Sequence, residues 1–162
     1  NPSQVHKEPT SIFEFLTTWC MGLAHLYPQH KQDVNIQCDP QLKASIDVIE
    51  TMKILDELYL NAMQHAYPTD GISGKSKIHI SVQNSSPFTF VFKDFGIGMP
   101  ETLRKQIFQP FVKGEGKSKN LGIGMHVLYN VVTYILNGSI VVNSNIDMGT
   151  EITVSLDDTS AP

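Results

Sequence analysis

Phe88, Phe90 and Phe92 occupy every second position of one run, and Ile78, Ile80 and Val82 occupy every second position of the run before it, across a turn at 84–87. Side chains on a strand point alternately to its two faces, so each run has one apolar face and the short turn pairs them as an antiparallel hairpin. Such a face cannot be left in water, and the chain has helices to cover it. Ile12, Phe13, Leu16, Trp19, Cys20 and Leu23 form one helical stripe, with Thr10 or Ser11 as cap and Pro28 as stop. Val34, Ile36 and Cys38 alternate as a short half-buried strand that turns at Asp39-Pro40. A long helix over roughly 43–66 follows, closed by Pro68 and Gly71. Pro100-Glu101 opens a short helix, since proline suits a first helical position. A further helix runs from Gly122 to about Leu136, with Met125, Leu128, Val132 and Ile135 at helical spacing and Asn137-Gly138 as its stop. Strands near 139–144 and 150–156 make a second hairpin. The expected fold is an α/β two-layer sandwich: a mixed, largely antiparallel sheet with helices packed on one face.

A chain of 162 residues suits one domain, taken as 10–156, with 1–9 and 157–162 as linkers or tails. It begins at Asn1 and reads as a piece cut from a longer polypeptide. A net charge of −4 argues against nucleic acid as partner, because phosphate backbones demand a concentrated basic surface. No apolar run approaches the ~18 residues of a membrane helix, so no membrane contact by this domain is expected. Cys20 and Cys38 are too isolated for a disulfide framework or a zinc site and read as plain thiols of a reducing compartment. Asn84-Ser85-Ser86 and Asn137-Gly138-Ser139 read as turns.

Chemistry concentrates in four short segments. Glu57, Asn61 and His65 stand at i, i+4 and i+8, so a carboxylate, an amide and an imidazole face one place, beside a buried stripe of Met52, Leu55, Tyr59, Ala62 and Ala66. Alone, that line reads equally as a solvated helix face. Asp94-Phe95-Gly96-Ile97-Gly98-Met99 follows directly on the phenylalanine strand. A carboxylate at a strand end followed by two glycines lets backbone pass close to a flat ligand while the acid accepts a hydrogen bond; a tight turn would look the same. Phe108-Gln109-Pro110-Phe111 precedes a polar stretch, 112–121, which suggests a lid hinged on an aromatic anchor, with Lys113 as the phosphate contact and Lys117 and Lys119 as alternatives. Gly122-Ile123-Gly124-Met125 opens a helix whose free amides suit a phosphate. Gly149-Thr150 alone is only a hairpin turn. Two GKS triplets, at 74–76 and 116–118, are not P-loops: the glycine required five residues earlier is Thr69 in one and Phe111 in the other.

Together these segments resemble the catalytic and ATP-binding domain of sensor histidine kinases, within the wider family of gyrase-type, Hsp90-type and MutL-type ATPases. The resemblance runs from about Thr10 to Leu156 and implies the Bergerat ATP-binding fold, with ATP and Mg2+ as cofactors. It implies that Asn61 holds the magnesium bridging the phosphates and that Glu57 serves as general base or orients the attacking group. Gln64 and His65 would touch phosphate or adenine. Asp94 would accept from the adenine exocyclic amine, with Gly96, Ile97, Gly98 and Met99 as backbone around the base. Phe111 and Lys113 would border the phosphates, Gly122, Ile123, Gly124 and Met125 would pack against them, and Thr150 would lie near the pocket. The function implied is transfer of the γ-phosphoryl group to a histidine on a separate helical hairpin domain of the parent protein, then to a response-regulator receiver domain. The location implied is cytoplasmic, whether or not the parent is anchored in the inner membrane. The acceptor itself is not recognisable here, because His6-Lys7-Glu8-Pro9 has the wrong neighbours. An anti-sigma-type serine kinase, a gyrase or Hsp90-like ATPase fragment and a non-catalytic nucleotide sensor are the alternatives. The Phe-x-Pro-Phe stretch and long lid favour the histidine-kinase reading, and intact Asn61 and Asp94 speak against a sensor.

Overall fold

A computed structural model describes residues 5–28, 32–66, 76–108 and 119–156. The expected hairpin forms from β4 (Ser76–Ser85) and β5 (Phe88–Asp94), with Ile80 opposite Phe92 and Val82 opposite Phe90. The remaining strands are β1 (Glu8–Ser11), β2 (Gln32–Gln37), β3 (Lys43–Ile46), β6 (Ser139–Asn145) and β7 (Gly149–Leu156). Five of them build the main sheet in the order β2-β4-β5-β7-β6; β2 runs parallel to β4 and the other neighbours are antiparallel. The phenylalanine strand is central, and Phe88, Phe90 and Phe92 are buried beside Ile152, Val154 and Leu156 of β7. The opposite face is half-exposed, with Lys93 and Glu151 in a loose ion pair at 4.0 Å. One covered face and one wet face make the two-layer sandwich that the alternation demands.

The covering layer is α1 (Ile12–Leu26), α2 (Val48–Asn61) and α4 (Lys119–Asn130), with a short α3 (Glu101–Gln106). From α1, Ile12, Leu16, Trp19 and Leu23 are buried. The Trp19 ring meets Tyr59 of α2 edge-on at 6.3 Å, and its indole Nε1 donates to Asp56 Oδ1 at 3.0 Å. Full burial of such side chains contributes about 1.5–3 kcal/mol each. Among the described residues no helix is long and apolar enough to cross a membrane. Cys20 and Cys38 are free and half-buried, and burial pushes the Cys20 thiol up to about 11.

The helix expected from residue 43 begins instead at Val48. Lys43–Ile46 is a strand, with Ala44 and Ile46 buried, paired antiparallel with β1. Asp47 separates the two elements: its Oδ1 accepts from the Glu50 amide at 3.0 Å as helix cap, and its Oδ2 accepts from the His6 amide at 2.9 Å. The pairing of β1 also draws Glu8 and Pro9 out of the expected tail. On α2 the buried face is Thr51, Ile54, Leu55, Leu58 and Tyr59, whereas Met52, expected inside, is 41% exposed. Both long helices end in a π-turn, Ala62–Ala66 after α2 and Val131–Ile135 after α4. A π-turn takes more residues per revolution than the α-helix. Leu136 is therefore buried where Ile135 was expected, and Ile135 faces solvent.

Candidate functional site

The last residue of β5, Asp94, is 7% exposed and faces the turn between β6 and β7. Its Oδ1 accepts the Gly96 amide at 3.0 Å and the Thr150 amide at 3.2 Å, so both backbone bonds fall on one oxygen. Burial raises the carboxyl above the ordinary aspartate range, and these two amides oppose the rise. The chain then passes close over the β6–β7 turn. Gly98 and Gly149 both have positive φ, 67° and 81°. A Cβ on Gly98 would strike the Asn145 carbonyl, and one on Gly149 would strike the Asp94 carbonyl. Further bonds hold the two segments together: the Asp147 amide donates to the Ile97 carbonyl at 2.6 Å, and the Met99 amide donates to Ser144 Oγ at 3.0 Å. Gly98 and Gly149 thus serve the close approach of two backbone segments, where the spacing had suggested close approach to a flat ligand.

On α2, Glu57 and Asn61 lie one turn apart and face α4. A Cβ on Gly124 would stand 3.2 Å from Glu57 Oε2 and 3.4 Å from Asn61 Nδ2, so a bare glycine is what lets α4 lie against them. Asn61 Nδ2 donates to the Glu57 carbonyl at 3.1 Å, so the acceptor the side chain keeps is its amide oxygen. The Glu57 carboxyl is raised, first by partial burial and then by the neighbouring Asp56 charge. His65 was expected in line with this pair; it falls in the π-turn Ala62–Ala66, and its side chain lies outside the described residues. Gln64 is exposed.

A cavity of about 50 Å³ joins the two halves, lined by Asn61, Asp94, Gly98, Met99, Met125 and Thr150 together with apolar Leu58, Ala62, Phe92, Ile107 and Ile152. Asn61 on the helix layer and Asp94 on the sheet thus open into one space. Ligand pockets usually hold ~300–1,000 Å³, so the cavity between the described residues is smaller than a nucleotide. Ile97 is 50% exposed and contributes its carbonyl rather than its side chain. Phe111, Lys113 and Lys117 lie outside the described residues, as do the side chains of Lys119 and Ile123. The α4 helix starts at Lys119, so Gly122 sits inside its first turns and not at its opening. The aromatic anchor before that stretch is visible at Phe108, which stacks on Tyr129 at 5.1 Å and whose carbonyl lies 3.2 Å from His126 Nδ1. Among the contributors missed in the sequence are Ile107, a wall of the cavity, and Ser144 beneath Thr150. The first could have been sought in the apolar end of a short helix; the second had no local signal.

Among the described residues no three His, Cys, Asp or Glu side chains converge as a metal cage. On the helix side the site offers a hard oxygen, Asn61 Oδ1, whose amide nitrogen is already bonded. That fits magnesium, which usually takes one or two protein ligands and completes its shell with phosphates and water.

Residues 46–160 match the family model described as histidine kinase-, DNA gyrase B-, and HSP90-like ATPase. The sensor histidine kinase TmoS of Ectopseudomonas mendocina is 30% identical over 94 residues, which are 57% of this chain and 9% of TmoS. The catalytic domain of histidine kinase ThkA superposes with a TM-score of 0.75 at 18% identity, over 95% of this chain and 97% of that one. ThkA in complex with the response regulator protein TrrA gives 0.71 at 17% identity, over 94% of this chain and 42% of that one. At these identities the two structures establish the shared fold.

Proposed function

The chain belongs to the histidine kinase-, DNA gyrase B- and HSP90-like ATPase family, and on that premise we propose that it is the ATP-binding catalytic domain of a two-component sensor histidine kinase. The observation that carries this reading is the convergence of Asn61 and Asp94, from opposite layers, on one cavity whose remaining walls, Thr150 apart, are mostly apolar. A flat heterocycle would lie between Phe92, Met99, Ile107 and Ile152 with its amine toward Asp94. The triphosphate would extend past Asn61 along α4. Asn61 Oδ1 would hold a magnesium ion, which when bound would neutralise phosphate charge.

In the reaction the bond from the γ-phosphorus to its bridging oxygen breaks, a P–N bond forms on the acceptor imidazole, and ADP leaves. Positioning and charge neutralisation carry most of such a step. Glu57, beside Asn61 and pushed toward higher pKa, is placed to orient the incoming imidazole or take its proton. Lys113 and the Gly122–Met125 stretch would hold the phosphates. The acceptor would be a histidine on a helical hairpin domain of the parent protein, and the phosphoryl group would pass from there to an aspartate of a receiver domain in the cytoplasm. The complex of ThkA with a response regulator protein, formed by a histidine kinase of the same fold, supports the last step.

Incubation with γ-labelled ATP, Mg2+ and a purified phosphoacceptor hairpin should give an acid-labile, alkali-stable phosphoprotein. An acid-stable product would point to a serine acceptor, and release of inorganic phosphate alone would point to an ATPase; either result refutes the proposal.

A further inference from the structure

Ser144 stands on β6 directly opposite Thr150 of β7 and is 9% exposed. Three groups meet at its hydroxyl. The Met99 amide donates to Oγ at 3.0 Å, Oγ donates to the Gly149 carbonyl at 2.9 Å, and Thr150 Oγ1 lies 2.8 Å away. A serine hydroxyl has a single proton and two lone pairs. The Gly149 carbonyl has no proton to give, so the serine proton goes there. The Met99 amide takes one lone pair. The Thr150 hydroxyl must then donate its own proton to the other.

That proton count fixes what Thr150 offers the cavity. With its proton spent on Ser144, Oγ1 presents only lone pairs. Its neighbour there is Asp94, whose Oδ1 is occupied by two amides and whose Oδ2 is left to accept. The sheet side of the cavity, where Asp94 and Thr150 stand, is therefore built of two acceptors. An exocyclic amine brings two protons to such a place, whereas a carbonyl oxygen brings lone pairs against lone pairs.

We propose that Ser144 is a specificity-determining positioning residue: by taking the proton of Thr150 it fixes the base subsite as acceptor-only and so selects a 6-amino purine over a 6-oxo purine. The inference rests on the reading of this cavity as the base site of ATP. It goes beyond that reading by assigning part of the discrimination to a residue that touches no nucleotide.

The test is the ratio of affinities for ATP and ITP, with inorganic tripolyphosphate as a ligand that has no base. In Ser144→Ala the Thr150 hydroxyl is free to turn and donate to a carbonyl, so the ATP to ITP ratio should fall about tenfold, the scale of one neutral hydrogen bond. Tripolyphosphate binding should not change, and Ser144→Thr, which keeps an oxygen in place, should restore the ratio. Should Ser144→Ala fail to fold, Ser144→Cys keeps the volume with a poor acceptor and should show the same fall. Equal weakening of ATP and ITP with the ratio preserved would mean a structural role and would overturn the inference. Wild-type protein that binds neither nucleotide would instead overturn the base-site reading beneath it.

Discussion

Asp94→Asn should separate ligand binding from stability in opposite directions. The Gly96 and Thr150 amides both donate to Oδ1, and an asparagine that keeps its oxygen there preserves both bonds. The replaced atom is then Oδ2, the one left for a ligand, and an NH2 donor takes its place. A hydrogen bond to a charged acceptor contributes about 1.5–3 kcal/mol, which at ~1.4 kcal/mol per tenfold is about a 10- to 140-fold loss of affinity. The upper end is expected, because the new amide points a donor at the donor of the base. Stability should move the other way. Burial raises the Asp94 carboxyl, which means the fold disfavours its charge, and a neutral isostere removes that burden while the backbone bonds remain. Calorimetric titration with ATP, alongside urea unfolding of the free protein, measures both. Affinity within about twofold of wild type would refute the role of Asp94 as base acceptor. A large drop in unfolding midpoint would refute the claim that its backbone bonds survive in the amide.

Asn61→Ala removes the amide oxygen that α2 offers the cavity and should abolish the magnesium-dependent part of ATP binding, seen as identical titrations with Mg2+ and with EDTA; a persisting difference would move the metal elsewhere. Gly149→Ala forces a side chain into a positive φ of 81° and against the Asp94 carbonyl, so it should cost at least about 1–3 kcal/mol in urea unfolding, together with ATP binding. A wild-type midpoint would contradict the close approach of the two segments. The pH dependence follows from the raised Asp94 carboxyl. Between its unfolded and folded values the native state binds more protons, so stability declines as pH rises through that window, while ATP affinity climbs as the carboxylate forms. Glu57 shifts the same way, so the part of both slopes that disappears in Asp94→Asn, followed by unfolding and titration across acid pH, belongs to Asp94.

The residues legible beforehand were those whose meaning depends on their own identity or on a fixed local period. Phe88, Phe90 and Phe92 had to share a face because successive strand side chains alternate, whatever else the chain does. Asp94 stood out as a carboxylate at a strand end before two glycines, whereas Asn61, alone a plain helix-face amide, was singled out by the family resemblance. What escaped depended on where another segment happens to lie. Lys43–Ile46 carries residues as acceptable to a helix as to a strand, and the partner that decides, β1, is far earlier in the chain. A cap signal was present, since Asp47-x-x-Glu50 is the spacing of a capping pair, and it marks the boundary that periodicity alone ran through. Glu57 and Asn61 precede the π-turn and keep their helical spacing, because a period holds only while the helix keeps its pitch. Ser144 is the extreme case: its partners are a carbonyl five residues on, a hydroxyl six residues on and an amide 45 residues back. Nothing in its neighbours along the chain distinguishes it from any serine on a half-exposed strand. Yet proton counting around it decides whether Thr150 donates or accepts, and so which base the cavity can hold. Residue identity therefore indicates which groups can make a site, while the direction of each hydrogen bond, set by contacts distant in sequence, determines what that site selects.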